Sequence, residues 1–223
     1  MKLLGAGAVI AAAIFLTSWL TTPTLGQVVQ SRTAGVSTTA CGVASGTSGT
    51  AILLGESMLL TAAHLVIGAG SVEVDVDGTS HEAEIIGLDP RTDLALLEAA
   101  GVQAPQLQLG RAQNGEEVVF APNGADAQSV FITRRVEIRI EEERSTVRSS
   151  RLGFEIDTTV ELGDSGSGVY DLDGDLLGMI FGRSTTREDR SFAVRSSEIS
   201  ALLEASAERF ACDPELNRVL PQP

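Results

Sequence analysis

Short apolar runs that alternate with polar residues and stop at glycine or aspartate recur along most of the chain, and that pattern points to antiparallel β-structure built from hairpins. Val72, Val74 and Val76 alternate with Glu73 and Asp75, the run ends at Asp77-Gly78, and SHEAEII follows as a partner strand. Asp-Gly suits the tight turn of such a hairpin because both of its residues tolerate positive φ. AILL and MLLTAA form a second pair, separated by Gly55-Glu56-Ser57. LALLEA, EVVFAP, SVFITRRVEIRIEEE and STVRSSRLGFEI continue the series. In the third of these, Val136, Ile138 and Ile140 share one side. Arg135, Glu137, Arg139 and Glu141 share the other, read as the solvated face of a long hairpin. Only the segment SSEISALLEASAERF has helical spacing, through Ile199, Leu202, Leu203 and Phe210, with Ser196 or Ser197 as its N-cap. A chain of 223 residues accommodates one all-β double barrel. The expected architecture is two Greek-key β-barrels in tandem with one C-terminal helix.

Residues 3–20 form an apolar run after a single basic residue, Lys2. They read either as a signal peptide cleaved before Gln27, with Thr24 and Gly26 as the small flanking residues, or as an uncleaved membrane anchor. Both readings carry the rest of the chain out of the cytoplasm, periplasmic or secreted. In that oxidising setting the two cysteines, Cys41 and Cys212, are candidates for one disulfide; two buried free thiols are the alternative. Such a bond would close a loop of about 170 residues, which chain entropy credits with roughly 5 kcal/mol at most. A net charge of −14 repels phosphate backbones and anionic headgroups, so no nucleic-acid partner is expected, and membrane contact only through the N-terminal segment. No CxxC pair occurs and there are two histidines, His64 and His81, so no metal or other cofactor is expected. Asp171-Leu172-Asp173-Gly174-Asp175 lacks the length and distal glutamate of a calcium loop and reads as a hairpin turn. His81 reads as a surface strand residue.

Three segments carry chemistry. Leu60-Thr61-Ala62-Ala63-His64 offers an imidazole, which exchanges protons near neutral pH. Asp89-Pro90-Arg91-Thr92-Asp93 places Asp93 directly before the apolar strand LALL, where a carboxylate needs a partner; Asp89 before proline reads as turn chemistry. Gly163-Asp164-Ser165-Gly166-Ser167-Gly168 exposes a serine on a sharp turn. The amides of Gly163 and Ser165 are then placed to stabilise an oxyanion formed when Ser165 attacks a carbonyl. His64 would act as general base, Asp93 as the carboxylate that orients it and Ser165 as nucleophile.

TAAH, DLALL and GDSGSG, in that order, resemble the motifs of chymotrypsin-clan serine peptidases. The DPRTDLALL segment and Phe192-Ala193-Val194 are similar to the bacterial HtrA/Deg branch. The resemblance spans about residues 41–205 and implies two six-stranded chymotrypsin-like barrels acting as an endopeptidase on protein or peptide substrates. It divides the chain into a signal or anchor (1–26), a linker (27–40) and a protease domain (41–223). Within that domain, barrel one covers about 41–110, barrel two about 111–195 and the helix about 197–210. No segment here matches the PDZ domains of HtrA proteins. Ser167 stands where the family usually has glycine, as it does in glutamate-specific relatives, and Asp164 is read as support for the turn. The resemblance also implies a primary substrate pocket lined by Thr159, Val160, Ile180, Phe181, Gly182 and Phe192. With no aspartate at Thr159, the pocket is expected to be neutral and apolar, suited to small or medium apolar side chains. The competing expectations are a catalytically silent binding protein on the same scaffold, or an esterase using the same three residues.

Overall fold

The computed structural model describes residues 22–41, 46–141 and 148–205. Twelve strands close into two barrels. The first uses β1 (Thr33–Ala40), β2 (Ser48–Gly55), β3 (Met58–Ala62), β4 (Ala69–Val76), β5 (Thr79–Asp89) and β6 (Leu94–Glu98), in the spatial order β1-β2-β3-β6-β5-β4. The second uses β7 (Glu117–Ala121), β8 (Gln128–Glu141), β9 (Arg148–Ile156), β10 (Gly168–Tyr170), β11 (Leu176–Arg183) and β12 (Ser191–Arg195), ordered β10-β11-β12-β9-β8-β7. All neighbouring strands are antiparallel. Closure leaves neither sheet with an open edge. Among the described residues three helices accompany them: α1 (Leu25–Gln30), α2 (Ala63–Val66) and α3 (Ser196–Glu204).

Local chemistry explains the hairpins. Asp77 and Gly78 take φ of 52° and 79°, the two positive values that a tight turn between β4 and β5 requires. Val72 and Val74 point inward while Glu73 and Asp75 are exposed, as the alternation dictates. The Asp171–Asp175 segment is the β10–β11 turn, with Asp171 Oδ1 accepting from the amides of Asp173 (3.0 Å) and Asp175 (2.9 Å). On β8, Arg135, Glu137 and Arg139 are exposed and Val136 and Ile138 half-buried.

Ile52, Leu59, Leu60, Leu94 and Leu97 fill the first barrel, and Phe120, Ile132, Phe154, Ile156 and Leu177 the second. Burying such side chains contributes about 1.5–3 kcal/mol each. The larger apolar cluster extends across the junction: it joins first-barrel leucines to Val119, Ala121, Tyr170, Leu176, Met179 and Val194 of the second. Helix α1 packs on β7, and Gln30 Nε2 donates to the Pro122 carbonyl at 3.0 Å. Helix α3 packs on β5 and β6 of one barrel and on β9, β11 and β12 of the other.

Two boundaries differ from the sequence reading. Residues 33–40, expected in a linker, form β1, hydrogen-bonded on both sides to β2 and β4. Only Ala34 and Val36 of this strand are buried, so small residues hide its period. Helix α3 has Arg195 at its N-cap with no capping side chain, because Ser196 Oγ instead donates to the Gly110 carbonyl at 2.6 Å. Ile199 is buried, Leu202 is half-buried and Leu203 is exposed; Phe210 lies outside the described residues.

Candidate active site

Strand pairing brings His64 and Asp93 together. Ala62 of β3 lies opposite Leu94 of β6, so the residues just beyond these ends must meet. The Ala63 amide donates to the Asp93 carbonyl at 3.1 Å. The His64 amide donates to Asp93 Oδ1 at 2.9 Å, and His64 Nδ1 lies 2.8 Å from Asp93 Oδ2. An ionised carboxylate only accepts, so Nδ1 carries the proton and Nε2 presents its lone pair. Asp93 is buried, whereas the His64 side chain is 43% exposed. Asp93 sits at φ 61°, a left-handed conformation uncommon for a non-glycine residue and concentrated at functional sites. The preceding turn is braced by Asp89, which accepts from the Arg91 amide (3.0 Å) and the Thr92 hydroxyl (3.1 Å).

The serine turn is built by the second barrel and seated on the first. The Thr50 amide donates to the Ser165 carbonyl at 2.9 Å, and Thr50 Oγ1 donates to the Gly163 carbonyl at 2.7 Å. The Thr61 hydroxyl, three residues before His64, donates to the Thr50 carbonyl at 2.7 Å. These bonds hold Ser165 at the end of β2 and β3 from which His64 emerges. The side chains of His64 and Ser165 are not hydrogen-bonded to each other. Gly163 takes φ 103° and Gly166 φ 96°. Asp164 spans the turn, its Oδ2 accepting from the Glu161 amide (2.8 Å) and its Oδ1 from the Asn123 amide (3.3 Å). The amides of Asp164, Gly166 and Ser167 are spent on internal bonds. Those of Gly163 and Ser165 have no acceptor among the described residues.

The residues expected to line a pocket do not all share one surface. Val160 and Ile180 are buried in the second-barrel core. Thr159 is exposed, with its hydroxyl on the Glu188 carbonyl at 2.6 Å. Phe181 and Phe192 are half-buried and stacked, their centroids 6.4 Å apart at 24°. Phe181 falls at the register shift between Ile180 and Gly182, and such a bulge turns a side chain out of its strand's alternation. Leu162, beside Gly163, is fully exposed.

Four buried groups were not legible as site residues: Thr50, Thr61, Arg151 and Glu155. Arg151 is 5% exposed, with Nη1 3.4 Å from Asp93 Oδ2 and its guanidinium carbon 4.7 Å from the Phe181 centroid. Burial lowers its pKa, against the opposing pull of Asp93. Glu155 receives Arg134 (3.0 Å), Arg190 (3.2 Å) and Arg187. Burial pushes its carboxyl up, but the Thr133 hydroxyl and the Arg134 and Arg187 guanidiniums more than reverse this, leaving it below the ordinary range. The only sequence sign was the alternation of Arg151 and Glu155 with Leu152, Phe154 and Ile156, which ordinarily marks a solvated face. His81 lies half-buried on β5. Among the described residues no group of histidine, cysteine, aspartate or glutamate is arranged to hold a metal ion.

Residues 23–179 match the family described as trypsin-like peptidase domain, and the chain belongs to that family. Its similar proteins are serine proteases of the HtrA/DegP type. It is 28% identical over 162 residues to the serine protease Rv3671c of Mycobacterium tuberculosis, covering 70% of this chain and 41% of that one. It is 33% identical over 156 residues to a probable periplasmic DegP-like serine endoprotease of Pseudomonas fulva, covering 66% of this chain and 32% of the relative. The chain thus spans less than half the length of these curated relatives. The solved active form of the Rv3671c protease superposes with a TM-score of 0.75 at 23% identity, over 95% of this chain and 98% of that one. That likeness concerns the fold.

Proposed function

We propose that this chain is an exported serine endopeptidase that hydrolyses peptide bonds through an acyl-enzyme. Ser165 Oγ attacks the scissile carbonyl while His64 Nε2 takes its proton. Asp93 keeps the ring in the Nδ1–H tautomer and offsets the positive charge that develops on it. The free amides of Gly163 and Ser165 donate to the oxyanion. His64 then returns the proton to the leaving amine, and water resolves the ester with the same residue as base. The carrying observation is the double hold of Asp93 on His64, through Oδ1 to the amide and Oδ2 to the ring.

The substrate is a protein or peptide with a small or medium apolar side chain before the cleaved bond. The exposed Leu162 and the Phe181–Phe192 pair support that preference. Export rests on residues 3–20, which lie outside the described residues. Thr24 caps α1 in a capping box with Gln27, so the Gly26–Gln27 bond lies inside this helix. Retention of the apolar segment as an anchor keeps α1 whole; cleavage before Gln27 removes its cap. Cys212 also lies outside the described residues, and its bond to Cys41, at the end of β1, is part of this proposal.

Treatment with a fluorophosphonate probe, alongside Ser165→Ala, tests the reading. Covalent labelling that disappears in the variant is the expected result. A folded protein that resists the probe would overturn it and leave the catalytically silent binding protein. Cleavage of esters but of no peptide in a substrate panel would replace peptidase with esterase.

A further inference from the structure

Arg151 is a cation inside the protein, and nothing in the reaction just described uses it. It comes from β9 of the second barrel, yet its Nη1 approaches Asp93 Oδ2, the same oxygen that holds the His64 ring. Nη1 stands at the outer limit of hydrogen bonding from that oxygen, and Nε finds no acceptor among the described residues. A methionine of similar bulk would fill the space without taking a charge out of water, so packing does not account for an arginine here. An arginine starts so far above neutrality that it keeps its charge despite burial.

We propose that Arg151 is a positioning residue: it fixes the Asp93 carboxylate, and through it the His64 ring, in register with the barrel that carries Ser165. Asp93 stands at the rim of the first barrel on a left-handed turn, while Arg151 and Ser165 both belong to the second. Phe181, turned outward by the β11 bulge, lies against the guanidinium and keeps it aimed at Asp93. The proposal rests on the assignment of His64, Asp93 and Ser165 made above.

Charge gives the proposal a signature that packing lacks. The charged groups that act on Arg151 are Asp93 and Asp89. Asp89 is itself engaged by Arg91 and Thr92, so Asp93 is the principal counter-ion. With neutral His64 the group of three carries no net charge; once the ring is protonated it carries one positive charge. Arg151 therefore opposes protonation of the resting enzyme, and the acid limb of activity lies at lower pH with it than without it. Nη1 and Nδ1 share one oxygen at 3.4 and 2.8 Å, so they are no more than about 6 Å apart.

The test measures the rate of fluorophosphonate labelling against pH for the full chain, for Arg151→Met and for Arg151→Lys, with Ser165→Ala as blank. The methionine variant should label about tenfold more slowly or worse at pH 7, with its acid limb displaced upward. Lysine should restore the wild-type limb and part of the rate. Wild-type rate and pH profile in Arg151→Met would overturn the proposal. So would a loss in both variants that follows the unfolded fraction, read by circular dichroism, with the acid limb unmoved. If the wild-type protein itself labels no better than Ser165→Ala, the assignment of the three catalytic residues falls first. That outcome is distinct from a failure of Arg151 alone.

Discussion

Alanine at Gly166 would put a methyl group where the Thr50 carbonyl oxygen already sits. A Cβ at this position lies 1.8 Å from that oxygen and 3.1 Å from Thr61 Oγ1. Neither neighbour can yield cheaply, because the Thr50 carbonyl accepts from the Thr61 hydroxyl and the Thr50 amide donates to Ser165. Gly163, at φ 103°, offers an internal control, since a Cβ there meets nothing within 4 Å. Gly163→Ala therefore suffers backbone strain alone, about 2 kcal/mol within the usual range of 1–3. Gly166→Ala adds to the same strain a forced shift of the turn and the loss of the Thr50–Ser165 bond, bringing the total to about 4 kcal/mol. For a domain of this size each kcal/mol lowers the melting temperature by about 3 °C, which gives falls of about 6 °C and about 12 °C. Thermal melts by circular dichroism give the first comparison. Fluorophosphonate labelling gives the second, and Gly166→Ala should lose it because Ser165 moves. If Gly166→Ala melts at or above Gly163→Ala, or labels like the wild type, the seating of the serine turn on β2 is wrong.

Thr50→Val keeps the shape of a fully buried side chain but strands the Gly163 carbonyl, so urea denaturation should show a loss of about 1–2 kcal/mol together with slower labelling. Asp93→Asn should lose stability, because it leaves the buried Arg151 without its counter-ion, and its folded fraction should label about 10³–10⁴-fold more slowly, because an amide no longer selects the Nδ1–H tautomer; a folded-state rate near that of the wild type would remove Asp93 from the mechanism. Glu155 has a folded carboxyl depressed below its unfolded value of about 4.3, so its stabilisation is complete above that value and drains away as pH falls through the folded one. Urea titrations from pH 7 to pH 3 should then show the wild type losing stability below about pH 4 more steeply than Glu155→Gln, and equal slopes would count against the cluster.

What could be read from the sequence was whatever a local rule governs. Asp77-Gly78 announces its turn because few dipeptides accept two positive φ values, and Val72 and Val74 announce a half-buried strand through a period of two. His64, Asp93 and Ser165 stood out because each departs from its surroundings: an imidazole after small residues, a carboxylate before an apolar strand, a serine among glycines. The remainder depends on contacts between distant residues. β1 escaped notice because six of its eight residues are not buried and small side chains give no period. Arg151 and Glu155 alternate with apolar neighbours as a solvated face does, and contacts with Asp93 of the other barrel and with Arg187 and Arg190 of the 184–190 loop help bury them. Ser196 looked like a helix cap, and the Gly110 carbonyl 86 residues away takes its hydroxyl instead.

The chain passes between the barrels more than once: α1 rests on the second before β1 enters the first, the stretch after β6 returns, and α3 lies against both. Together with the apolar cluster shared across the junction, this lacing ties the melting of each half to the other. Heating should then give one calorimetric transition with matching van't Hoff and measured enthalpies, not two. A fold that came apart only as a whole would offer no half-open intermediate, with one barrel loose and its strands accessible, for proteolysis to attack.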